Sequence, residues 1–177
     1  MSDGQDVFTA ISDVVKRFGK SVYGLPAQKK ILETQKLIGF SLLGAGYVIP
    51  LDEISEVLEV PECTSLPRVK SWVRGVANVR GRLLPVIDFA DFLGGKLTGI
   101  PQEQRVLVFE IHGAYVGIIV DQVYGMKALP VDSYQPMASE SPLAEFIDGK
   151  YADENEGFEL FRPQKLIEND QFMNVSV

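Results

Sequence analysis

Histidine, cysteine and tryptophan are nearly missing from this chain, with one of each in 177 residues. A single cysteine excludes an internal disulfide and fits a reducing cytoplasm. One histidine and one cysteine cannot build a zinc site without carboxylate help. His112 precedes Gly113 at an expected hairpin tip and reads as an exposed loop residue. Cys63 lies between Pro61 and Pro67 with no histidine near it in sequence, so a thiol nucleophile is not expected. Gly44-Ala45-Gly46 and Gly94-Gly95 lack the spacing and the following lysine of a phosphate loop. Asp52 and Glu53 are adjacent and point apart on an extended chain, which makes them a poor acid–base pair. Long apolar runs are also missing. Leu37 to Leu51 is interrupted by Gly39, Ser41, Gly44, Gly46 and Pro50, and falls short of the ~20 residues that span a bilayer. The segment Met1 to Asp6 has neither a basic nor an apolar stretch, so no signal peptide is expected. Net positive charge is lacking too. A formal charge of -7 and a pI near 4.8 argue against nucleic acid as a partner. No cofactor or metal is expected.

What is present is a hydrophobic content of 46%, enough for a buried core. Phe8, Ile11, Val15 and Phe18 recur at helical steps and predict an amphipathic helix over 6–18. It could pack on its own domain or cap a partner. Leu25-Pro26 opens a second short helix through about Gln35. From Leu37 the period becomes two. A hairpin is expected over 38–49 with its turn at Gly44-Ala45-Gly46, followed by a helical turn near Pro50 to Ile54 and a strand from Ser55 to Val60. A turn or short helix from Leu66 leads to the central stretch.

That stretch is Trp72 to Asp88. Aliphatic runs flank Asn78-Val79-Arg80-Gly81, which predicts a strand, a tight turn with a bulge at Gly81, and a strand. No acid occurs between Glu62 and Asp88, yet Arg68, Lys70, Arg74, Arg80 and Arg82 all fall there. A basic hairpin on an acidic protein suggests a docking surface. Asp88 is expected to cap the helical turn Phe89 to Leu93.

The second half repeats the first. Residues 37–61 align without gaps on 106–130, matching Phe40 with Phe109, Gly44 with Gly113, Asp52 with Asp121 and Pro61 with Pro130. Phe158 to Phe161 and a closing helix over 163–169 follow, after an expected long loop from Asp132 to Glu156. Two similar units of about five short strands, each small for a core of its own, predict two small barrels side by side. Glu56 would share a face with Leu58 and Ile54, and a carboxylate there needs a partner. Arg80 is the candidate. The two either pair at one end of the first barrel or leave Arg80 solvated for docking.

Gly75-Val76-Ala77-Asn78-Val79-Arg80-Gly81 followed by Pro85-Val86-Ile87-Asp88-Phe89 resembles the signature of CheW-like chemotaxis adaptors. Val79-Arg80-Gly81-Arg82-Leu83-Leu84-Pro85 resembles the PilI-like branch, which serves type IV pilus twitching systems. Many CheW proteins have leucine at the position of Val79, and the turn His112 to Tyr115 is one residue shorter here. The resemblance implies a mostly β fold of two SH3-like five-stranded barrels, one over about 37–100 and one over about 101–160. An N-terminal helical extension, residues 1–36, precedes the domain, residues 37–177. It implies a non-catalytic adaptor in membrane-associated arrays in the cytoplasm. Its partners would be the cytoplasmic tip of a methyl-accepting chemoreceptor and the CheW-like regulatory domain of a histidine kinase. Carried over by position, the receptor groove comprises Ile54, Arg80, Val106, Gly117 and Met126. Glu56 matches the acid that accompanies the motif arginine. The kinase edge comprises Ser55, Val57 and Leu58. The alternatives are a flagellar adaptor, or a small-molecule-binding or catalytic barrel needing a deep polar pocket.

Overall fold

The computed structural model describes residues 32–152 and 157–177. The chain divides into two units, Met1–Ile31 and Leu32–Val177. The helix expected over 6–18 lies outside the described residues. The second helix cannot reach Gln35, because strand pairing begins at Thr34.

The elements are β1 (Thr34–Leu42), β2 (Ala45–Pro50), a 3-10 turn (Leu51–Glu53), β3 (Glu56–Glu59), β4 (Val73–Val79), β5 (Arg82–Asp88) and α1 (Phe89–Phe92). The second half has β6 (Arg105–Ile111), β7 (Ala114–Val120), β8 (Gln122–Pro130), a 3-10 turn (Val131–Ser133) and β9 (Tyr134–Pro136). After a 3-10 turn (Ala144–Phe146) come β10 (Ile147–Ala152), β11 (Gly157–Phe161), α2 (Pro163–Ile167) and α3 (Asp170–Met173).

The hairpins β1–β2, β4–β5 and β6–β7 share one turn chemistry. Leu43-Gly44, Arg80-Gly81 and His112-Gly113 all have positive φ, between 51° and 83°. Two such residues make the tight turn whose twist matches that of paired strands. The turn expected at Gly44-Ala45-Gly46 is therefore one residue earlier, with Leu42 opposite Ala45. The bulge expected at Gly81 is absent, because Val79 faces Arg82 directly. The bulge of this hairpin sits between Val73 and Gly75 instead.

Two curled sheets result, with strand orders β8-β1-β2-β11-β10-β9 and β3-β6-β7-β5-β4. The repeat is real in space: β1, β2 and β3 correspond to β6, β7 and β8. The division into one barrel over about 37–100 and another over about 101–160 needs correction. β3 pairs with β6, and β8 pairs with β1, so each half donates its third strand to the other. The free edge of β2 is taken by β11 and that of β7 by β5, both in parallel register. The third strand must pair elsewhere.

Each sheet closes through a single bent segment. β8 and β9 lie at opposite edges of the first sheet and are nearly continuous in sequence. β3 lies at one edge of the second sheet, and Thr64, a few residues on, pairs with Val76 of β4 at the other edge. The loop expected from Asp132 to Glu156 thus contains β9 and β10. The first sheet counts six strands where five were expected, because β9 continues the segment of β8.

Three clusters fill this frame. Ala77, Leu84, Val86, Val106, Val108 and Ile119 pack inside the second sheet. Leu37, Val48, Leu129, Tyr151, Phe158 and Leu160 pack inside the first. The largest cluster draws Phe40 and Ile49 from one sheet and Ile87, Phe109 and Ile118 from the other, with Phe89 and Phe172 from the helices. Each barrel alone is small, so the shared layer supplies much of the burial that holds them. Asp88 caps α1, its carboxylate accepting from the Asp91 amide at 3.1 Å.

Candidate functional site

The signature residues converge at the rim of the second sheet. Asn78 Oδ1 accepts a hydrogen bond from the Gly81 amide at 2.9 Å and holds the turn. Val79 packs on the interior cluster. Arg80, at φ 51°, points away from that interior, and Gly81 takes φ 82°. Asparagine, an apolar residue, an outward cation and a glycine therefore each answer one requirement of this hairpin tip.

Arg80 Nη2 lies 2.5 Å from Glu56 Oε1. Glu56 is on β3 and Arg80 on the tip joining β4 to β5, so the pair bridges the two edges of the sheet. It lies across the same seam that the Thr64–Val76 pairing closes. The Arg80 side chain is 81% exposed and that of Glu56 23%. Of the two arrangements open from sequence, the paired one is present, and Arg80 stays accessible within it. An ion pair this wet contributes about 0–1 kcal/mol. Arg80→Ala should therefore shift stability by less than about 1 kcal/mol, as read from urea unfolding.

The other carried-over positions divide. Met126 stands on β8, 63% exposed. Ile54 is half-buried, packed against the shared cluster. Val106 and Gly117 require correction as groove-lining residues. Both are enclosed within the second barrel, where Val106 joins the interior cluster. A Cβ on Gly117 would meet Val106 Cγ1 at 2.5 Å, so this glycine makes room for Val106. Ser55 and Val57 are exposed on or beside β3, and Leu58 is half-buried. His112 is exposed, and Cys63 is half-buried with its thiol near the Pro61 carbonyl at 3.4 Å.

Sequence reasoning missed two polar centres. The Asp121 carboxylate, only 3% exposed, is surrounded by donors from the β1–β2 turn and from Thr98 and Gly99. Its position after a buried aliphatic run was the available signal. The second centre joins Arg162 to Glu53 and to Asp148 (2.7 Å), with Lys165 also on Asp148 at 2.6 Å. It fastens the 3-10 turn after β2, the β10 bulge and α2. Burial pushes the Asp148 carboxyl up, but hydrogen bonds from Lys165 and Arg162 outweigh it and hold it below the ordinary range. Burial raises Glu53 in spite of Arg162. A depressed carboxyl stabilises the fold above its unfolded pKa of about 3.9, and that stabilisation is lost as pH falls through the folded value. Asp148→Asn should cost about 1 kcal/mol at pH 7 and progressively less as pH falls below the unfolded value of about 3.9, checked by urea unfolding from pH 7 downward.

Two SH3-like barrels sharing one core, with the signature hairpin clipped across a barrel seam, are the architecture of an adaptor domain. The family profile described as CheW-like domain matches residues 36–171. The chain belongs to the CheW-like domain family. It is 41% identical to Protein PilI of Pseudomonas aeruginosa over 100% of both chains. It is 32% identical to Protein FrzA of Myxococcus xanthus, over 68% of this chain and 77% of that one. With the Chemotaxis protein CheW of Thermotoga maritima it shares 29% over 54% of this chain and 62% of the other. The crystal structure of the scaffolding protein TtCheW from Thermoanaerobacter tengcongensis superposes with a TM-score of 0.66 at 25% identity, covering 73% of this chain and 89% of that one.

Proposed function

We propose that this chain is a non-catalytic scaffold that couples a chemoreceptor to a histidine kinase in a chemosensory array controlling type IV pilus twitching. One observation carries the pilus reading. The likeness to PilI runs through the whole of both chains, whereas FrzA and the Thermotoga CheW match 68% and 54% of this one. Among the described residues no helix is long and apolar enough to cross a membrane.

The receptor tip would meet Ile54, Met126 and the accessible face of Arg80. The kinase regulatory domain would meet the β3 edge at Ser55, Val57 and Leu58. Val106 and Gly117 would act on this surface by shaping the barrel beneath it. The reading is tested by titrating the full chain with the CheW-like regulatory domain of the pilus-system kinase and with a receptor-tip fragment. Wild type should bind both. Arg80→Ala and Met126→Asp, with melting unchanged, should weaken receptor binding at least about tenfold, about 1.4 kcal/mol. Val57→Asp should weaken kinase binding alone. Wild-type failure on both partners would remove the coupling role.

A further inference from the structure

An apolar groove of about 310 Å³ opens on the second barrel, and none of the receptor or kinase positions named above lines it. Leu66, Val76, Pro85, Tyr115, Phe172 and Met173 are among its walls. Leu66 and Met173 are themselves exposed, and Leu83, on the neighbouring strand β5, is 68% exposed. Apolar surface of this kind marks interaction sites more often than chance placement does.

The charge beside the groove is as distinctive as its lining. Arg68, Lys70 and Arg74 alternate in sequence with the groove residues Leu66, Val73 and Val76 and have no ion-pair partner among the described residues. Arg82 lies over the Tyr115 ring at 3.9 Å. Glu110 neutralises it in part through a bidentate pair. Acids do stand near α3, at Glu168 and Asp170, but none occurs between Glu62 and Asp88 in a chain of net charge -7. A local basic field on an acidic protein selects acidic partners.

Backbone geometry selects the partner's conformation. Residues 68–70 would offer a strand edge beside the groove, but it is already used. Lys70 donates to the Val175 carbonyl at 3.0 Å, and Val177 donates to the Arg68 carbonyl at 3.2 Å. The edge of β4 is held by Thr64 at Val76, a β4 residue of the groove wall. With both edges engaged at the residues that border the groove, an occupant that satisfies its own backbone is favoured over an extended peptide.

We infer that this groove is a second docking site, and that it takes an acidic amphipathic helix of a partner protein. Apolar side chains at helical spacing enter between Leu66, Pro85 and Met173, and flanking carboxylates face Arg68, Lys70 and Arg74. The inference is independent of the receptor and kinase assignments.

The probe is a labelled amphipathic peptide of about 18 residues, with leucines at i, i+3 and i+7 and glutamates on both flanks. A second peptide carries lysine at every glutamate position. Titrated into the isotope-labelled full chain, the acidic peptide should bind with a Kd on the order of 100 μM. Amide shifts should concentrate at Val76, Val116 and Phe172. Leu66→Glu and the double variant Arg68→Glu, Arg74→Glu alter exposed side chains. Each should fold with unchanged melting and weaken binding at least about tenfold. Binding should also weaken as salt rises from about 50 to 500 mM. Equal binding of the lysine peptide, shifts elsewhere on the chain, or no binding of the acidic peptide would each overturn the inference. Self-association that Leu66→Glu abolishes, without peptide binding, would assign the groove to a second copy instead and overturn it too.

Discussion

Asp121→Ala should lower the melting temperature by about 10 °C, while Asp52→Ala at the corresponding position of the first repeat should leave it nearly unchanged. Asp121 is the single residue between β7 in one sheet and β8 in the other. Its carboxylate accepts from the Leu43 amide at 2.8 Å, the Thr98 amide at 2.5 Å, the Thr98 hydroxyl at 3.0 Å and the Gly99 amide at 2.8 Å. Alanine would strip three backbone donors of a shared acceptor that is only 3% exposed. Each unsatisfied donor costs about 1–3 kcal/mol, and relaxation recovers part of that, which leaves about 3–4 kcal/mol. At this chain length each kcal/mol moves the midpoint by about 2–4 °C. Asp52 is exposed on its 3-10 turn, where such a change costs less than about 0.5 kcal/mol. Asp121→Asn separates shape from charge. It keeps the volume but aims an amide donor at other donors, so it should fall between wild type and Asp121→Ala. Equal melting of Asp52→Ala and Asp121→Ala would remove Asp121 as the knot between the sheets.

That contrast also measures what the sequence could and could not disclose. The repeat was legible because period-two runs, X-Gly turns and terminal prolines recur at a fixed offset. Phe40 and Phe109 are both fully buried in the shared core, as their alignment implied. The exchange of β3 and β8 was not legible, because which edge a strand joins is decided by whether β11 or β5 already occupies the alternative. Local pattern carries no trace of that competition. β10 escaped notice for a local reason. Asp148, Gly149 and Lys150 interrupt its alternation, and the acid serves an ion network whose arginine lies beyond β11. At the site, Glu56 and Arg80 could be named as partners because a carboxylate sharing a face with Leu58 needs one. Val106 and Gly117 were matched by position alone. Position does not say whether a residue faces into a barrel or out of it, and both face in. The basic run from Arg68 to Arg82 was visible at once. The apolar groove beside it required the helices α2 and α3, which pack there from the far end of the chain.

Gly75→Ala should destabilise the protein by about 3–4 kcal/mol and open the seam on which the signature hairpin depends. Gly75 has φ +134°, a region L-residues rarely adopt, and a Cβ there would collide with the Thr64 carbonyl oxygen. Neither group can move freely. Thr64 and Val76 exchange hydrogen bonds of 2.8 and 3.0 Å, and these close the second sheet. Gly149 holds the corresponding place in the other barrel, where an added Cβ would meet the Gln135 oxygen at 2.5 Å. Gly81→Ala is the matched comparison. It suffers the positive φ, +82°, but meets nothing within 4 Å, so it should cost only about 1 kcal/mol. Hydrogen exchange should show Thr64 and Val76 losing protection in Gly75→Ala and keeping it in Gly81→Ala. The two variants also separate seam from charge at the site. Glu56 and Arg80 reach each other across the same seam, so Gly75→Ala should weaken receptor binding although both charges remain. Binding by Gly75→Ala at wild-type strength, with Thr64 unprotected, would show that Arg80 needs only its charge. Its loss would show that the closed seam is what presents Arg80 to a partner.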